Sequence, residues 1–177
     1  MISLLRVAGV LWLLASPAAS RAVEEPSLEY RVKAAFLLNF TKFIEWPTYA
    51  FANDAAPISI CIVGEDPFGR VLDEVVNGET VNSRRLIVRR IRQTPIEGAC
   101  HVLFFDRMEK DTADLLANLK PGVLTVGQGD AFIRGGGVIA FVIENRRVRF
   151  DIDQSAAAKA ELKMNAKLLN VARFVEK

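Results

Sequence analysis

Few residues in this chain could do chemistry. They are two cysteines, Cys61 and Cys100, a single histidine, His101, and an arginine-dense stretch holding Arg84, Arg85, Arg89, Arg90 and Arg92. To these add the carboxylates Asp151 and Asp153 and the turn "GEDPFG" at 64–69. A lone histidine opening an apolar strand is more often structural than catalytic. No His, Cys, Asp or Glu cluster has metal-ligand spacing, no G-x-S-x-G elbow occurs, and there is no P-loop lysine motif. The Gly135–Gly137 run lacks the spacing of a dinucleotide fingerprint. The expectation is a protein with no catalytic residues, no metal and no cofactor, hence not an enzyme. Strand-to-helix turns such as 64–69 often bind anions, but this one carries two carboxylates. It reads as a plain turn in which Asp66 caps a helix beginning at Pro67. Arg89 and Arg90 are the candidates for holding an anionic ligand, and a solvated charged face is the plainer alternative. Asp151 and Asp153 share one strand face and are expected to meet water, opposite Val148, Phe150 and Ile152.

The elements that must position these residues follow from periodicity. "YRVKAAFLLNFTKFIEWP" (30–47) repeats Val32, Phe36, Phe40 and Phe43 at helical spacing, with Leu37 and Ile44 widening the stripe. Asn39 falls on the apolar side, Leu38 and Thr41 on the polar side, and Pro47 should stop the helix at Trp46. "ISICIVG" (58–64) reads as a strand buried on both faces. A helix follows, with Phe68, Val71, Leu72 and Val75 inward. Further strands are expected at 85–91, 101–106, 123–127, 138–145 and 147–153, the last two forming a hairpin. Residues 155–175 read as helical, with a break at Leu162–Asn165 and Asn165 capping a last helix through Phe174. Strands alternating with helices predict a single α/β domain with a largely parallel sheet and an antiparallel C-terminal hairpin. The arginines mark 85–91 as an edge strand guarded by charge.

The chain has 177 residues, 51% of them apolar and 25% charged, with a net charge of +2. That charge is too small for a nucleic-acid binder. The N-terminus, "MISLLRVAGVLWLLASPAAS", places Arg6 before an apolar core that Pro17 breaks, and small residues follow. This is the grammar of a secretory signal peptide over residues 1–20, with cleavage possible as far as Ala22. Residues 21–27 read as a flexible leader and 28–177 as the domain. The remainder has no apolar run long enough to span a membrane. An exported, periplasmic protein is expected. An even cysteine count in an exported chain points to a Cys61–Cys100 disulfide, with two buried free thiols as the alternative.

Six stretches occur in an order that resembles the YfiR-like periplasmic family. They are "YRVKAAFLLNFTKFIEWP", "ICIVGEDPFG", "CHVLFFD", "GVLTVG", the Gly135–Gly137 run into "VIAF", and "VRFDID…LKMNAKLLNVAR". The resemblance covers about residues 28–175. It implies a non-enzymatic periplasmic regulator that represses an inner-membrane diguanylate cyclase through that enzyme's periplasmic sensor domain. It also implies an outer-membrane YfiB-like lipoprotein that relieves repression, control of cyclic-di-GMP and biofilm, and a tendency to form homodimers. Cys61 and Cys100 match a family disulfide. The second cysteine pair of some members is absent between Phe132 and Phe141, and "LKMN" replaces the more usual Leu-Lys-Ile-Ser. Candidate partner-binding residues are Val148, Phe150, Ile152, Leu162 and Met164, for which ordinary core packing is the alternative. The rival function is a small-ligand-binding module serving a hybrid histidine kinase or another receptor, with the ligand on the arginine edge or the Gly64–Gly69 turn.

Overall fold

The computed structural model describes residues 26–92, 96 and 98–177. The expected signal peptide and all of the expected leader except Pro26 and Ser27 lie outside them. Helix α1 (Leu28–Phe43) leads into β1 (Ile44–Glu45). Then come β2 (Ile58–Val63), α2 (Arg70–Val76), β3 (Thr80–Val81), β4 (Arg84–Ile91), β5 (Val102–Phe105), α3 (Thr112–Ala117) and β6 (Leu124–Gln128). The chain finishes with α4 (Gly129–Arg134), β7 (Ile139–Glu144), β8 (Arg147–Asp153), α5 (Gln154–Lys159), β9 (Lys163–Met164), α6 (Ala166–Val171) and β10 (Phe174–Glu176).

One mixed sheet runs in the order β10-β8-β7-β6-β5-β2-β4-β3. From β4 through β7 neighbouring strands are parallel, and β7–β8 is the expected antiparallel hairpin. Strand alternation divides the core between two faces. Ile58, Ile60, Ile62, Val102, Phe104, Ile139 and Phe141 meet α1 and α2 on one face. Cys61, Leu103, Phe105 and Ala140 lie on the other with Phe132 of α4. Phe40 packs 5.7 Å from Phe141 and 5.0 Å from Phe150, centroid to centroid, so α1 is anchored across the sheet by aromatic contacts.

Several expectations need correction. Helix α1 ends at Phe43, because Ile44 and Glu45 pair antiparallel with Met164 and Lys163. Its buried stripe is rotated: Lys33, Leu38 and Thr41 are buried, whereas Val32 and Asn39 are exposed. Asp66 does not cap a helix at Pro67. Its carboxylate accepts from the Phe68 and Gly69 amides (2.8 and 3.3 Å) in a turn that precedes α2. The glycine-rich connection contains α4, and Gly127 and Gly137 are required by close approach. A Cβ on either would stand 2.3 or 2.1 Å from the Phe132 ring. The tail is not helical to Phe174. Asn165 does cap α6, accepting from the Lys167 amide at 2.9 Å, but Phe174–Glu176 form a strand parallel to β8 and become the sheet edge. Strand β4 is next to last, with β3 paired only to Arg84 and Arg85.

Candidate functional site at the carboxyl ends of the strands

After β2 the chain crosses to β4 on one side and then returns to β5 on the other. The carboxyl ends of β2 and β5 are therefore a topological switch point, where open α/β sheets bind ligands. A small crevice of about 180 Å³ opens there, lined among others by Gly64, Glu65, Asp106, Arg107, Glu109 and Thr112.

Beside the crevice lies a polar network drawn from three elements. Tyr30 and Lys33 come from the first turns of α1, Asp106 follows β5, and Gln128 ends β6. The Tyr30 hydroxyl donates to Asp106 Oδ1 at 2.6 Å. Gln128 Nε2 donates to the same oxygen at 2.5 Å and to the Tyr30 hydroxyl at 3.2 Å. Lys33 Nζ donates to Gln128 Oε1 at 2.5 Å and to the Glu29 carboxylate, and sits 4.6 Å from the centre of the Tyr30 ring. Lys33 is fully buried. A charge so placed persists only when paired and hydrogen-bonded, and Glu29 and Gln128 supply that. Burial, with the hydrogen bond to Asp106, pushes the Tyr30 hydroxyl up to about 12. The network orients and holds: it ties the start of α1 to the ends of β5 and β6. Its donors and acceptors are committed to one another, and among the described residues no buried side-chain nitrogen or oxygen lacks a partner.

Sequence reasoning missed Lys33, Tyr30, Asp106 and Gln128. A signal was present for the helical pair. Positions 30, 33, 37, 40 and 44 follow one another at helical spacing, so extending the Leu37–Phe40–Ile44 stripe backward reaches both polar residues.

Arg84, Arg89 and Arg90 are engaged within the chain, whereas Arg85 and Arg92 are exposed. Arg90 binds Asp66 (2.8 Å), both oxygens of Asp73 (2.9 and 2.6 Å) and the Gly69 carbonyl (2.7 Å), which joins β4 to α2. The hydrogen bond from Arg90 holds the Asp73 carboxyl below its usual range. Arg89 donates to the Ala99 carbonyl at 3.0 Å and lies 3.8 Å from Cys100 Sγ. Arg84 donates to the Asn53 and Ala56 carbonyls and stacks over Phe51. An anion in the crevice beside the 64–69 turn would meet the carboxylates of Glu65, Asp106, Glu109 and Asp111.

Cys61 and Cys100 form a disulfide that joins β2 to the residue preceding His101. Of the five partner candidates, Phe150, Ile152 and Leu162 are buried core residues, and Val148 and Met164 are half-buried. Asp151 does not face water. It is buried and receives Arg173 Nε at 2.8 Å, while Asp153 caps α5 by accepting from the Ala156 amide at 2.9 Å. His101 is structural: its Nδ1 accepts from the Ser59 amide at 3.0 Å, which leaves Nε2–H to donate to the Ala50 carbonyl at 3.1 Å. Phe51 stacks on its ring, and burial, reinforced by Arg84, pushes its pKa down.

Fold and site together define a single-domain α/β protein with a mixed sheet, bound internally by one disulfide. The model of the YfiR/HmsC-like family matches residues 30–173, and the chain belongs to that family. The family is one of periplasmic regulators of cyclic-di-GMP signalling, regulatory rather than catalytic, and it implies a membrane signalling partner. No curated protein matches the chain. Among the described residues no helix is long and apolar enough to cross a membrane.

Proposed function

We propose that the protein binds the periplasmic sensor domain of an inner-membrane diguanylate cyclase and holds that enzyme inactive, which keeps cyclic-di-GMP low. The observation that carries this reading is the family match, which takes in nearly every described element of the fold. The Cys61–Cys100 bridge supports it, because disulfides persist in oxidising compartments such as the periplasm. In this reading the bridge keeps the repressor folded, and an outer-membrane YfiB-like lipoprotein relieves repression by sequestering it.

The test is cellular cyclic-di-GMP in the native bacterium with and without the gene. Deletion is expected to raise the level, and re-expression of the exported protein to lower it again. An unchanged level overturns the cyclase as target.

A further inference from the structure

Strand β4 spans eight residues, but its outer partner β3 spans two. Pairing begins at Thr80–Arg85 and Val81–Arg84, extends through one bond from the Leu86 amide to the Glu79 carbonyl at 3.2 Å, and stops. Gly78 (φ 76°) lies in the turn by which the chain leaves α2 and enters β3, so no strand precedes Glu79 along this edge. The Leu86 amide thus points outward. By strand alternation the N–H and C=O groups of Val88 and Arg90 point the same way, while the Ile91 carbonyl points inward to the Gly64 amide. Among the described residues no other strand pairs with the outer side of Leu86–Ile91. A groove of about 670 Å³ runs beside this open edge, lined in part by Val76, Asn77, Gly78, Leu86, Ile87 and Val88.

The charge around the edge is unbalanced. The carboxylates that line the groove each meet a base, Glu79 with Lys42, Glu74 with Arg70 and Asp73 with Arg90, an arginine that Asp66 shares. Arg85 and Arg92 are both exposed and bracket the unpaired stretch. An unpaired row of backbone donors and acceptors is a template for one more strand, and a strand added there gains main-chain bonds while alternate side chains fill the groove.

We propose that the outer edge of β4 docks an extended acidic segment of a partner protein as an added strand. The backbone of Val88 and Arg90 would supply the hydrogen bonds. Apolar side chains of the segment would fill the groove over Val76, Leu86 and Val88, and its carboxylates would meet Arg85 and Arg92. The docking surface rests on the reading of the protein as a partner-binding regulator and names the surface and chemistry that such binding would use. Edge pairing fits a polypeptide, since only a backbone matches alternating N–H and C=O groups.

The test uses the purified exported chain with a ten-residue peptide alternating glutamate and valine, and a lysine–valine peptide as control. The expected result is selective protection of the Val88 and Arg90 amides from hydrogen exchange by the acidic peptide, with binding that weakens as salt rises. Val88→Pro, which removes an outward N–H that no described residue uses, should weaken binding about tenfold or more. Arg85→Glu with Arg92→Glu should do the same and leaves the backbone untouched. Equal binding of both peptides, protection elsewhere on the surface, or no binding overturns the proposal. So does concentration-dependent protection of Val88 without peptide, which would identify a second copy of this chain as the occupant. These readouts are independent of cyclic-di-GMP, so failure here and failure of the cyclase assignment are separable.

Discussion

The two ends of the parallel strands each bury polar groups, and they satisfy them by opposite means. At the carboxyl ends, Lys33, Glu29, Tyr30, Asp106 and Gln128 form an ionic network whose members come from widely separated parts of the sequence. At the amino ends, a neutral imidazole bridges two backbone groups, the Ser59 amide and the Ala50 carbonyl, beneath Phe51. The Trp46 indole donates to the His101 carbonyl at 3.2 Å, and the disulfide at Cys100 pins the same corner covalently. One end therefore depends on a buried ammonium held by polar partners, and the other on a cross-link and aromatic packing. Each end should therefore fail under different conditions.

The largest expected effect is at the amino end. Replacing both cysteines with serine removes a cross-link between residues 39 apart in sequence, and the chain-entropy model gives a loss of about 4 kcal/mol. Urea unfolding should show it, and in the bacterium the variant should raise cyclic-di-GMP as gene deletion does. Unchanged unfolding would mean that packing alone holds this corner.

At the carboxyl end, Lys33→Ala should cost about 2 kcal/mol, since it strips Gln128 Oε1 of its donor and leaves a cavity beneath Tyr30, while the part-exposed Glu29 regains water. The same unfolding assay checks it. A cost under about 1 kcal/mol would show that water enters and replaces the ammonium.

The ends should also respond to opposite extremes of pH. His101 titrates lower in the folded chain than its ordinary value of 6.5. The unfolded chain then binds the proton first, so stability falls as pH drops below about 6.5 and levels off beneath the folded value. His101→Gln should flatten that limb in a pH series of melting temperatures. Tyr30 titrates at about 12 instead of 10. The unfolded chain releases that proton first, so stability falls as pH rises from 10 towards 12, and Tyr30→Phe should remove this contribution.

The smallest effect separates both ends from ordinary local structure. Asp153→Ala removes the cap of α5 and should cost about 1 kcal/mol in the same assay.

Much of this molecule was legible in its sequence. The strand runs at 58–63, 102–105, 139–144 and 147–153, the α/β order, the cysteine pair and the Asn165 cap all rest on local pattern or on composition. A strand buried on both faces is apolar at nearly every position, and that can be read without knowing its neighbours. Strand β10 could not be read this way. Its pairing with β8 depends on Arg173 reaching the buried Asp151, a contact between residues of different elements. The rotation of α1 was misread for a related reason. Its sequence offers two overlapping apolar stripes, and only the aromatic sheet surface of Phe141 and Phe150, together with partners for Lys33, selects the one to bury.

Class of fold, family and the cysteine pair could thus be read from residue order alone. Tertiary structure alone decided that Lys33 is buried, that Arg90 is spent on Asp66 and Asp73, and that the outer edge of β4 is left open. The physical reason is range. Periodicity and propensity act within one element, whereas burial of a charge, its neutralisation and the completion of a sheet edge depend on which distant elements the fold brings alongside.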